Sequence, residues 1–217
     1  MAAGTDGAEL RLEPNSRPYL LKRILSDGTD IAAVFLLFLL FTAVVMMTPL
    51  ADGYNAHAGR YQEIVRETAD ALGDPEAAAK ALLENREYQD ELFAANLHGY
   101  LLKVLACLLA ELPVLLLFPL FARDRTTPGK KMTGVLLFDE RRQSLPTRGQ
   151  ITGRFLFVFF LDSLFLYLFT GILTFLLVPV LRLTEMLLSR KHRTLQDLAT
   201  GLTAIERLSY SGIGSDA

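Results

Sequence analysis

Four ionisable residues, Asp30, Glu111, Asp162 and Arg182, lie in or at the end of apolar stretches long enough to enter a lipid bilayer. They constrain the fold strongly, because a charge at mid-bilayer depth costs roughly 2.5–3.5 kcal/mol on insertion scales and has to face a partner or a wet cavity. The stretches themselves set the class. Hydrophobic residues make up 51% of the 217-residue chain and are gathered into blocks rather than spread through a mixed pattern. This composition predicts an all-α integral membrane protein.

The first block, residues 29–48, is about 20 residues long, or ~30 Å as a helix. The second covers 97–121. The third, Phe155 to Leu188, is too long for one upright crossing and carries interruptions near Thr170-Gly171 and at Pro179. It divides into 155–170 and 171–188. Lys and Arg are retained on the cytoplasmic side of a membrane. The linker 122–154, with Arg123, Arg125, Lys130, Lys131, Arg141, Arg142, Arg148 and Arg154, is therefore expected inside. Arg11, Arg17, Lys22 and Arg23 place the N-terminus on the same side, and Arg190, Lys191 and Arg193 ask the same of the C-terminal region. Four membrane segments satisfy all three groups; the alternative is three crossings with the C-terminus outside. No secretory signal is visible, so the first block acts as its own insertion signal.

Residues 1–17 and 211–217 read as polar tails around a membrane domain at 18–210. Residues 50–96 form an insert, expected outside the membrane, in which acids outnumber bases. Tyr54, Tyr61, Ile64, Val65, Thr68 and Leu72 recur at helical spacing, Gly73 stops that helix, and Asp74-Pro75 starts the next as N-cap and first helical residue. In the linker, Val135 to Phe138 reads as a strand ending in a turn, with Gln143 to Leu145 as a partner in a small cytoplasmic β-hairpin. The single Cys107 sits in an apolar helix and excludes a disulfide framework.

Arg23 and Asp30 are seven residues apart, which puts them on one helix face with about 10.5 Å of rise between them. Asp27, four residues after Arg23, can pair with it. Counting in from the cytoplasmic ends places Glu111 about 15 Å deep, Asp162 about 10 Å and Arg182 about 9 Å. One reading makes Asp162 and Arg182 an ion pair that fixes the last hairpin. The other makes these charges, with Asp30 or Glu111 as the exchanging acid, a proton or cation pathway. Pro113 and Pro119 favour the second, because each removes a helical hydrogen bond and frees a carbonyl. Enzyme signatures are missing. There is no GxSxG and no Walker loop, and His57, His98 and His192 are too scattered in sequence to predict a metal centre. Nucleotide hydrolysis, a catalytic residue set, a cofactor and a nucleic-acid partner are not expected.

Three stretches resemble the RDD family of small bacterial membrane proteins. Arg23 with Asp30 matches the arginine and aspartate of the family's first helix. TTPGKKMTGVLLFD, residues 126–139, is similar to its cytoplasmic motif, with Pro128, Gly129 and Lys130, and Arg154 falls where the family opens its last membrane block. KHRTLQDLATG, residues 191–201, is similar to its closing motif, whose aspartate is Asp197 here. The insert at 50–96 lies outside the resemblance. The resemblance implies a multi-pass protein of the bacterial inner membrane, with signature positions Arg23, Asp30 and Asp197 and with cation exchange for protons among the activities suggested for the family. Asp197 also reads as a helix cap or salt-bridge partner, and Pro128 to Lys131 as a turn with a topology signal or a headgroup contact. The expected function is a transporter or transporter subunit for a small cation; the alternative is a non-transporting membrane scaffold or assembly partner. Expected partners are the lipid bilayer and a second copy or another membrane protein.

Overall fold

The computed structural model describes residues 17–189 and 193–206. The tails, Arg190, Lys191 and His192 lie outside the described residues, as does the side chain of Asp162. The described residues are mostly helical, with a two-stranded antiparallel sheet. Among the described residues, three helices are long and apolar enough to cross a membrane: Leu20–Met46, Arg86–Phe121 and Gly171–Leu188.

In chain order, α1 (Arg17–Met46) ends at Thr48-Pro49, whose ring cannot continue a helix. There follow α2 (Asp52–Leu72), α3 (Pro75–Glu84) and α4 (Arg86–Glu111). A π-helical segment (Leu112–Leu117) and α5 (Phe118–Phe121) extend α4. Beyond them come α6 (Pro128–Thr133), β1 (Val135–Asp139) and α7 (Arg148–Val158). A second π-helical segment (Phe159–Leu166) leads into α8 (Tyr167–Thr170). A short 3-10 turn at Gly171, where φ is +56°, precedes α9 (Thr174–Leu188), α10 (Leu195–Thr200) and β2 (Leu202–Glu206). The interruption expected at Thr170-Gly171 is present. Pro179 lies inside α9 and does not end it.

Two compact units divide the chain: residues 37–109, and residues 1–36 with 110–217. In the first, Gly73 closes α2 in the left-handed conformation and Asp74 caps α3, accepting from the Glu76 N–H at 3.2 Å. Val45, Ala51 and Leu102 form its core with Tyr54, Leu105 and Leu109 against them. Polar contacts join α2 to α4: His57 Nδ1 to Glu91 Oε2 at 2.6 Å, and Arg60 to Glu87 at 2.7 Å. Tyr61 and Tyr88 stack edge-on at 6.4 Å.

In the other unit the sheet departs from the sequence reading. β1 pairs along its length with β2, Val135 opposite Glu206 and Asp139 opposite Leu202. The expected hairpin with Gln143–Leu145 is reduced to a single bridge, Asp139 to Ser144. The reason is apolar burial. Val135 and Leu137 cluster with Leu202 and Ala204 on one face, and Leu136 and Phe138 with Ile205 on the other, whereas 143–145 offers only Leu145. A strand buried on both faces needs an apolar partner of equal length.

Candidate functional site

Helix α1 carries Arg23, Asp27 and Asp30 at spacings of four and three, which place all three on one face. In an otherwise apolar helix this charged face requires partners, and three short elements supply them. Thr127 stands at the N-cap position of α6 with its hydroxyl turned to Asp30, Pro128 occupies the first turn, and Gly129 and Lys130 are buried within the helix. Thr194 and Asp197 form a capping box at the start of α10, and Thr147 with Gln150 forms another at the start of α7, which carries Arg154.

The result is one buried polar cluster. Asp30 accepts from the Gly129 N–H at 2.7 Å and from the Thr127 hydroxyl, and the Lys130 ammonium lies 3.6 Å from its second oxygen. Lys130 Nζ donates to Asp27 Oδ1 at 2.5 Å. Arg23 pairs with Asp197, which also receives Arg154 Nε at 3.3 Å and the Thr194 N–H at 3.3 Å. The three carboxylates, Asp27, Asp30 and Asp197, thus face three cations, Arg23, Lys130 and Arg154. The Gly129 backbone approaches α1 so closely that a Cβ there would collide with the Ser26 carbonyl oxygen and sit 2.8 Å from Asp30 Oδ1.

Burial alone would raise the pKa of the Asp197 carboxyl. The Arg23 and Arg154 guanidiniums more than reverse that and hold it below the ordinary aspartate value. Asp139, at the end of β1, is also held low, chiefly by the Gln150 amide at 2.8 Å and further by the Arg141 and Arg142 N–H groups. Asp30, Lys130, Arg154, Arg182 and Gln196 line a small cavity with room for about one water molecule. Ser26 Oγ, Thr126 Oγ1 and Gln196 Nε2 are buried and have no hydrogen-bond partner among the described residues.

Of the sequence candidates, Arg23, Asp30, Lys130, Arg154 and Asp197 belong to this cluster, with Pro128 and Gly129 shaping it. Arg182 lines its cavity. Glu111 is buried elsewhere in this unit, where its carboxylate accepts from the Ser163 hydroxyl. That contact joins the end of α4, just before one π-helical segment, to the middle of the other. The pairing of Asp162 with Arg182 falls outside the described residues.

Sequence reasoning missed three features. Asp27 makes a direct ion pair with Lys130; the signal was a third charge on the Arg23–Asp30 face. Lys130 is buried in an ion pair within a helix, not displayed at a turn. His57 and His98 stack with ring centroids 5.2 Å apart, because α2 and α4 run side by side, although they are 41 residues apart in sequence. Among the described residues no group of three or more His, Cys, Asp or Glu side chains is arranged to hold a metal ion.

Fold and site together define a helical protein with three potential membrane helices and a buried, charge-balanced cluster that ties α1 to α6, α7 and α10. No family model matches the chain, and no curated protein or solved structure matches it.

Proposed function

We propose that this chain is an RDD-type integral protein of the bacterial inner membrane that acts as a transporter, or transporter subunit, exchanging a small cation for protons, with Glu111 as the exchanging acid. The observation that carries this reading is the Glu111–Ser163 contact, buried in a long apolar helix and bordered by two π-helical segments. Such segments concentrate at functional sites, since they break the regular backbone ladder and re-aim side chains. A hydroxyl can donate to a carboxylate or accept from a carboxylic acid, so Ser163 serves Glu111 in either state. Asp30 and Asp197 have no such freedom. Neutralising either would take a buried carboxylate away from the cations packed against it, Lys130 beside Asp30 and Arg23 with Arg154 beside Asp197. They are fixed supports in this reading, and the signature positions hold the bundle together instead of moving ions.

Purified protein in liposomes carrying an internal pH dye, challenged with sodium, lithium or potassium, tests the proposal. Wild type should move protons against the added cation. Glu111→Gln should abolish the flux while keeping the wild-type helical signal and unfolding midpoint. A fully folded but inert wild type would refute it.

A second reading, a non-transporting scaffold, is favoured by the ion pairing of every carboxylate in the cluster. The inert outcome is its prediction. For topology we propose four segments with both termini cytoplasmic, and a reporter active only outside, fused after residue 210, should stay silent.

A further inference from the structure

The unit formed by residues 37–109 contains a cavity that the transport reading does not use. It measures about 130 Å³ and is walled by Val45, Met46, Tyr54 and Leu102, with Thr42, Gly99 and Lys103 completing the lining. We propose that this cavity binds an anionic phospholipid, with a segment of acyl chain inside and the phosphate on the Lys103 ammonium.

Three observations converge on that ligand. First, the walls are mostly apolar, and the volume is close to that of an engineered apolar protein cavity of roughly 150 Å³ that accepts benzene, so a short length of hydrocarbon fits. Gly99 is needed for this shape, because a Cβ there would sit 3.1 Å from the Tyr54 ring and push it off the wall. Second, Thr42 Oγ1 is buried, lines the cavity and has no hydrogen-bond partner among the described residues. It offers a donor to an ester oxygen. Third, Lys103 is exposed, six residues inside the start of the second apolar run at Leu97, or about 9 Å along the helix. From that depth its stem snorkels to the headgroup level. A hydrocarbon uses neither polar group, and a soluble anion does not use the apolar walls. An amphiphile with an ester and a phosphate uses all three, and in a membrane that molecule is a phospholipid. The proposal rests on the chain spanning a bilayer but not on transport.

Delipidated protein in detergent, titrated with phosphatidylglycerol and read by native mass spectrometry, provides the test. Wild type should hold one lipid per chain, and zwitterionic phosphatidylcholine should bind more weakly. Lys103→Ala should weaken phosphatidylglycerol binding about tenfold and Lys103→Arg should restore it. Val45→Phe fills the cavity and should remove the adduct. Since Lys103 is exposed, its variants fold as wild type and carry the decision. No single-lipid adduct on wild type, or an adduct indifferent to Lys103→Ala, would overturn the proposal. Either result leaves Glu111-dependent flux untouched, so this proposal and the transport reading fail separately.

Discussion

The chain builds the same ion pair in two settings. Arg23 and Asp197 meet with both side chains 0% exposed, whereas Arg60 reaches Glu63 and Glu87 with its side chain 41% exposed. In water the attraction is weak and screened, and losing a partner costs little because solvent replaces it. Out of water the pair itself gains little net, but breaking it leaves a bare charge with nothing to replace its partner. The buried cluster is therefore a lock by virtue of what its removal would cost, while the pairs on α2 and α4 only bias how those helices meet.

The sharpest break in this comparison is Asp197→Ala. It removes the carboxylate that Arg23 and Arg154 both contact, and the expected loss is about 3–5 kcal/mol of unfolding free energy in detergent. Arg23→Met should cost less, since Asp197 keeps Arg154 at 3.3 Å. Chemical denaturation followed by helical circular dichroism measures both. Equal losses would show that Arg154 does not share the carboxylate.

Gly129→Ala probes the same lock without changing any charge. The new methyl group has to displace either the α1 backbone at Ser26 or the Asp30 carboxylate, neither of which is the far end of a flexible chain. Overpacking of this kind costs about 1–3 kcal/mol. An alanine at Gly149, which has only one neighbouring atom, 3.9 Å away, serves as the control and should be close to neutral.

How much of this was legible in the sequence follows the range of each interaction. Local signals were readable. Gly73 and Asp74-Pro75 marked one helix end and the next start because caps depend on a few adjacent residues, and apolar run length marked three candidate spans, while the fourth expected segment, 155–170, is not among them. The Arg23–Asp30 spacing announced a charged helix face. The identities of its partners were not readable, because Lys130 and Asp197 reach that face through tertiary folding across more than a hundred residues. The sheet failed for the same reason. Adjacency favoured 143–145 as the partner of β1, but apolar complementarity lay with 202–206, beyond α7, α8 and α9.

Asp139 lies between the two extremes: its charge is buried, but it is satisfied largely by neutral donors. Its carboxyl is held below the ordinary value, so the stability it contributes is present above that value and is lost as pH falls through the lowered one. Asp197 acts in the same direction. Wild type should therefore lose stability on acidification below about pH 4, the ordinary aspartate range. Asp139→Asn should flatten part of that slope. At neutral pH it should cost about 1 kcal/mol, because one amide cannot accept from Gln150 and from the two backbone N–H groups as well.

The smallest effect belongs to Arg60→Ala. Arg60 contacts two carboxylates, Glu63 at 2.7 Å and Glu87 at 2.7 Å, which on distance alone would rank above the 3.3 Å contact of Arg154 with Asp197. Solvent reverses the ranking. All three partners on the insert remain hydrated, so the loss should be close to the limit of detection, and 1 M salt, with a Debye length of about 3 Å, should erase it. The Asp197→Ala loss should persist in the same salt. If the two variants respond alike to ionic strength, the cluster around α1 is open to water, and the contrast between the two regions disappears.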